Sequence, residues 1–362
     1  MTSSRILAVS LLAACTGGAG PEGPAGPAGS NGPPGEMGSQ GDPGSDGADG
    51  ALRVYGDGTA GAITIATDTN WITGSPPNGN YQFTDFTVNA GVSLVVSSGT
   101  VIRCTGSCVN NGLIVVATGS PGGEECIDFD VGVYAVLDPG PSMIGTLSSM
   151  GQVDTDGDGA EGGLTSQDAQ IYAIEPIASF GVVGGAGGAG NGGAGGGTLT
   201  ILGELSVTNG AAGTIEAEGE PATIDSGCGQ TGGGGGGGGG GVVLASMTQV
   251  TQAGAIDVGG GAGGASTAYS ASGGGGAGGV VHLFAPAIAD GGGEVLTGGA
   301  AGSGSAALIT SDPRLGGGAG GASCGWAGDG GYIQGNGATG IAYPGFHGCV
   351  LQTQVDPTAL FF

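Results

Sequence analysis

The sequence predicts an all-β chain: a right-handed parallel β-solenoid with glycine-rich connections, preceded by a segment that has glycine at every third position. Three observations predict it. Short runs of alternating or β-branched residues recur from Tyr81 onward, separated by Asn-Gly and Ser-Gly turns at about ten-residue spacing. No segment carries a sustained helical period with capping residues. Glycine fills 93 of the 362 positions, and its longest runs fall at similar offsets from the predicted strands.

Taken in order, residues 1–14 read as an export leader. Arg5 supplies the positive start, and Ile6 to Ala14 form an apolar stretch far shorter than the ~20 residues a membrane-spanning helix needs. Leu12-Ala13-Ala14-Cys15 closes it, with small residues beside the scissile bond and a thiol to receive lipid. This segment resembles a bacterial lipoprotein signal, which implies a lipidated Cys15. The plainer reading is an ordinary secretory leader with an incidental cysteine. Thr16 follows Cys15; in that family an aspartate at this position usually retains the protein in the inner membrane, so its absence makes the outer membrane or cell surface the expected location.

Residues 15–50 carry glycine at every third position from Gly17 to Gly50, eleven triplets without a slip. Only glycine fits the axis of three wound polyproline-II chains, so the period points to a collagen-like stalk. A trimer held by the stalk and a flexible Pro/Gly linker are both open. Residues 51–75 follow as a linker or N-terminal cap, 76–350 as the glycine-rich solenoid, and 351–362 as a C-terminal tail.

In the solenoid, Tyr81–Gly91 alternates apolar and polar. Val92–Val96, Gly99–Cys104 and Leu113–Val116 follow as further strands. Strand, turn, strand with β-branched residues inward suits coils that bury their inner faces only by stacking on one another. The stretch Phe83–Val116 resembles the coils of exported bacterial β-helix proteins, including hemagglutinin-like and glycine-rich adhesin classes. A longer unit begins at Thr198, Val242 and Val280, 44 and 38 residues apart, with a fourth fragment expected at Gly330–Gln334. The glycine runs themselves read in two ways. They are loops at one edge of the solenoid, or they pack side by side as polyproline-II-like strands, an arrangement that glycine-rich phage adhesins and some antifreeze proteins resemble.

The charge balance excludes one class of partner. Four arginines, no lysine and thirty acidic residues leave a net charge of −26, so the clustered cations that nucleic acid requires are missing. Besides Cys15 there are six cysteines: Cys104, Cys108, Cys126, Cys228, Cys324 and Cys349. An even number in an exported chain points to disulfides, with the partners open except that Cys104 and Cys108 can clip one turn. A zinc site is the rival reading, weakened by the spacing of His282 and His347.

Asp154-Thr155-Asp156-Gly157-Asp158-Gly159 matches the opening of a calcium loop, with Asp154, Asp156 and Asp158 as the candidate ligands. Thr165 occupies the twelfth position in place of a bidentate glutamate, and a solvated acidic turn explains the motif equally well. Asp128 and Asp130 share one face of a strand and could mimic a carboxylate pair. His347 two residues before Cys349 could activate a thiol. Trp71, Trp326, Tyr332 and Tyr343 could stack on sugars or pack against a solenoid end. The expectation is a non-enzymatic structural or adhesive lipoprotein, anchored in a membrane and meeting a surface glycan or protein. A polysaccharide lyase or glycosidase is the second reading, and an ice- or mineral-binding surface the third.

Overall fold

A computed structural model describes residues 54–76, 79–119, 192–223, 233–266, 271–304 and 340–360, together with 121–122, 124–128, 133–137, 153–154, 314–315 and most of 317–332. The chain divides into Met1–Gly44 and Ser45–Phe362, and every described residue belongs to the second unit.

The described residues wind as three-strand coils. β1 (Ile63–Ile65) and β2 (Thr69–Asn70) open the winding, and β3 (Gln82–Phe83), β4 (Phe86–Val88) and β5 (Ser93–Val96) complete the next coil. β6 (Thr100–Cys104), β7 (Ser107–Asn110) and β8 (Leu113–Val116) follow. An excursion then carries β9 (Glu124–Asp128), β10 (Val133–Leu137) and β11 (Val153–Asp154). Winding resumes with β12 (Thr198–Gly203), β13 (Ser206–Asn209) and β14 (Thr214–Glu216), then β15 (Gly241–Ser246), β16 (Gln249–Gln252) and β17 (Ala255–Asp257). The last coil holds β18 (Val280–Phe284), β19 (Ala287–Asp290) and β20 (Gly293–Val295), followed by β21 (Arg314–Leu315) and β22 (Cys349–Thr353).

Each position in the coil stacks on its counterpart, giving three parallel six-stranded sheets: β1-β4-β7-β13-β16-β19, β2-β5-β8-β14-β17-β20 and β3-β6-β12-β15-β18-β22. This is the arrangement expected of a parallel β-solenoid. The alternating stretch Tyr81–Gly91 is two strands rather than one, because the chain turns a corner at Thr84-Asp85. The corner adds a residue, so the inward rings Phe83 and Phe86 are three apart, not two.

Inward side chains form columns. Ile102, Ile201, Leu244 and Leu283 stand in register on successive coils, as do Ile114, Ile215 and Ile256. All are buried, and each such side chain removed from water contributes ~1.5–3 kcal/mol. Trp71 closes the N-terminal end over Tyr81, Phe83 and Phe86, with ring centroids 5.5, 6.3 and 6.1 Å away. At the other end two columns turn polar. Glu294 continues the isoleucine column, and Gln352 continues the one ending at Leu283. Gln352 Nε2 donates to Asp290 at 2.6 Å. Ile288 and Val350 continue their own columns as partly buried apolar side chains packed on the core.

A buried amide ladder runs through the coils. Asn110 donates to Asn209 at 2.9 Å, Asn209 to Gln252 at 2.8 Å, and Gln252 to Glu294 at 3.3 Å. Asn110 and Asn209 also reach the backbone carbonyls of Thr214 and Ala255, each pinning a corner of the next coil, and Gln252 reaches the Gly254 carbonyl at the corner of its own coil.

The third sheet is buried on its outer face too. Leu202, Val243, Ala245 and Phe284 pack there under Val54 and Tyr55. Arg103 Nε donates to the Val54 carbonyl at 3.1 Å, and the Tyr55 hydroxyl lies 3.5 Å from that of Thr358, at the start of a short 3₁₀ turn, Pro357–Leu360. Burial raises the Tyr55 phenol to about 12.

The pairing refines the repeat. Thr198 faces Gly241, not Val242, and Gly241 faces Val280. The fourth strand of that repeat is β22, not Gly330–Gln334. All the long glycine-rich segments leave the coil at one corner, between the second and third sheets: 117–197, 217–240, 258–279 and 296–348.

Candidate functional site

The glycine segments are packed against one another, and their hydrogen bonds step by three. Gly233, Gly236 and Gly239 donate to Ala271, Gly274 and Ala277 at 3.1, 2.9 and 2.7 Å. Gly237 and Gly240 donate to Glu220 and Ala217, running the opposite way, and Gly193 and Gly196 donate to Gly235 and Gly238. A three-residue step is the repeat of a polyproline-II helix, whose three faces can each meet a different neighbour.

The segment 272–279 shows why glycine is required. A Cβ on Gly273 or Gly276 would overlap the carbonyl of Gly234 or Gly237; on Gly274, that of Gly328; on Gly275, that of Gly299. All three faces meet backbone, and residues 271–279 are buried throughout. The close approach also explains the hydrogen bonding: with no strand ladder available, buried amides are satisfied only by carbonyls of adjacent segments.

The outer edge of this bundle is formed by 326–332 and 340–348, running antiparallel. Phe346 donates to the Trp326 carbonyl at 2.8 Å, Tyr343 to Asp329 at 3.0 Å and Gly340 to Tyr332 at 2.6 Å. In 326–332 only Trp326, Asp329 and Tyr332 are exposed, with the four residues between them buried. In 340–348 the inward face is Ala342, Gly345 and Gly348, where a Cβ on either glycine would overlap the carbonyl of Gly276 or Gly279. The face carrying residues 340, 343 and 346 is turned outward.

That outward face is aromatic. Trp326 is 53% exposed, Tyr332 43%, Tyr343 52% and Phe346 60%. Trp326 and Phe346 meet edge to face with centroids 6.2 Å apart. The Tyr332 ring lies where a side chain on Gly340 would stand. Three aromatic stations therefore follow one another at the three-residue step: Tyr332 over Gly340, then Tyr343, then Phe346 with Trp326. The frame beneath is held by Gly275 and Gly278, which donate to the carbonyls of Tyr343 and Phe346 at 3.0 and 2.8 Å. Disulfide Cys324–Cys349 ties this edge to β22.

The other residues singled out from the sequence are dispersed. Cys104 and Cys108 form a buried disulfide across one coil corner. Cys126 lies in β9 opposite Ala135. Cys228, Cys15, Asp130, Asp156 and Asp158 lie outside the described residues. Asp154 sits in β11 opposite Arg314 of β21. Asp128 ends β9 opposite Val133. Cys349 is disulfide-bonded, so His347 has no thiol beside it to activate. Trp71 is a core residue, whereas Trp326, Tyr332 and Tyr343 are at the surface.

Sequence reasoning missed Phe346, although its spacing of three from Tyr343 was visible. It weighed His282 only as a zinc ligand and did not single out Glu218. His282 is buried against Phe284, with ring centroids 3.9 Å apart and Nε2 2.9 Å from the Thr353 hydroxyl; Nδ1 has no partner. Burial lowers it to about 3, so it is neutral at physiological pH. Glu218 is raised to about 7 by its hydrogen bond to Asp257, then by burial and the charges of Asp257 and Glu216. Among the described residues no three His, Cys, Asp or Glu side chains converge as a metal site.

No protein-family model matches this chain, and neither the curated proteins nor the solved structures contain a match.

Proposed function

We propose that this protein is a non-enzymatic surface lipoprotein that adheres through its glycine bundle. In this reading Cys15 carries the lipid, the Gly-X-Y segment forms a collagen-like stalk, and a right-handed β-solenoid supports the bundle. The hand follows the general rule for parallel crossovers. The observation that carries the reading is the exposed aromatic row on a backbone with no freedom to collapse around it. Four large rings left in water cost solubility and contribute little to folding, so they point to a partner. Stacked coils hold the bundle on one side, as an adhesive head requires.

The test is made on intact cells. Labelled palmitate should enter the wild-type protein and not the Cys15→Ala variant, and external protease should remove the body from whole cells. Adhesion should fall when Trp326 and Phe346 are replaced together by alanine. A body sheltered from protease, or adhesion indifferent to both rings, would refute the reading. Sedimentation of soluble chains beginning at Thr16 and at Ala51 tests the stalk: a threefold mass for the first alone is expected of a trimer.

A further inference from the structure

The three aromatic stations share a line, a spacing and a charge environment, and together these restrict the ligand. A polyproline-II strand rises ~3.1 Å per residue, so stations three residues apart are about 9 Å apart and the row spans roughly 19 Å. Tyr332 lies over Gly340, Tyr343 follows, and Phe346 stands beside Trp326. The backbone under the row is pinned by Gly275 and Gly278 and cannot adjust to an irregular partner. A ligand that meets every station must therefore repeat at this distance itself.

An extended β-linked polysaccharide does so. Its successive sugars alternate in facing, so the same apolar C–H face returns every second sugar, at a repeat of this size. Those C–H groups are slightly positive and stack on the negative face of an aromatic ring. Charge narrows the class further. Asp329 is exposed on the same face as Trp326 and Tyr332, three residues from each. The whole chain carries −26 and has no lysine. A polyanionic glycan would be repelled, whereas the hydroxyls of a neutral one can donate to a carboxylate. A rigid, preformed row also avoids the ordering cost that weakens binding to flexible partners.

We propose that the row of Tyr332, Tyr343 and the Trp326–Phe346 pair binds an extended, uncharged, β-linked polysaccharide lying along the 340–346 strand. The inference rests on the adhesive reading and names its ligand class. The experiment is depletion binding of the full chain, purified in detergent, to microcrystalline cellulose and to chitin. Alginate and an immobilised protein surface are run in parallel. Saturable binding to cellulose or chitin is expected, unchanged between low and high salt because no ion pairs are involved.

Trp326→Ala, Tyr343→Ala and Phe346→Ala should each weaken binding roughly three- to tenfold, with the triple variant reduced to background. Leu205→Ser removes an equally exposed apolar side chain away from the row and should leave binding unchanged. Circular dichroism of each variant should match the wild type, since the rings are at the surface. Binding to alginate that fades with salt, binding to the protein surface alone, or equal binding by the triple variant would each overturn the proposal. Failure here, with ring-dependent adhesion of intact cells retained, would remove the polysaccharide and leave the adhesive reading. Protease-sheltered cells with ring-dependent cellulose binding would do the reverse.

Discussion

Replacing Gly276 by alanine tests the bundle directly, because two effects of opposite sign compete there. Alanine restricts the unfolded chain and stabilises by about 0.4–1 kcal/mol wherever the folded backbone accepts it. At Gly276 the new Cβ would overlap the Gly237 carbonyl, a backbone atom that cannot rotate away. The segments must part. Forced overpacking costs about 1–3 kcal/mol. Parting also strains the bonds from Gly276 to Gly261 and from Gly299 to Gly276, now 2.9 and 2.7 Å, and a lost buried bond costs about 1–3 kcal/mol. The expected net destabilisation is about 2–5 kcal/mol. Gly291 is the matched control, since nothing lies near its Cβ position and its backbone is not left-handed. Gly291→Ala should stabilise by up to ~1 kcal/mol. The assay is equilibrium urea unfolding with disulfides intact, followed by emission of Trp326 in a Trp71→Phe background. If Gly276→Ala is as stable as Gly291→Ala, the packed bundle is refuted and the glycines are loops.

Three further outcomes are expected. Asn209→Ala should destabilise by about 3 kcal/mol in urea, because it strips buried partners from Asn110, Gln252 and the Ala255 carbonyl; equality with wild type would show that the ladder is not formed. Joining Gly119 to Gly193 should leave the coils folded with an unchanged thermal midpoint, since β6, β7 and β8 pair directly with β12, β13 and β14 and Gly119 already bonds Gly195 at 2.9 Å; an unfolded product would show that the excursion is needed for the coils. Glu218 binds its proton more tightly folded than unfolded, so stability should fall as pH rises from about 4.5 to about 7. After allowance for its exposure the loss is about 1 kcal/mol, and Asp257→Asn should flatten that slope.

The sequence was most legible where side chains alternate. Val92–Val96, Gly99–Cys104 and Leu113–Val116 lie where their pattern placed strands, and Cys104–Cys108 was readable from spacing alone. The corner at Thr84-Asp85 was hidden because one extra residue shifts the alternation without interrupting it. The one-residue offset between Thr198 and Gly241 was hidden for another reason. A glycine run carries no mark of where a strand begins, and only the ladder to the next coil decides it. The aromatic stations were visible as residues but not as a row. Tyr332 joins the row only because its ring crosses to the place above Gly340.

By itself, then, the sequence determined the class of secondary structure, the approximate repeat of the later coils and the strongly acidic charge balance, since these depend on local side-chain pattern and composition. The tertiary structure alone decided that the glycine segments form a solid bundle, which of its edges faces water, and that four rings line up along it. The physical reason is that glycine has no side chain with which to record a direction. Its partners are backbone groups of segments distant in the chain, and their identity exists only once the coils have brought those segments side by side.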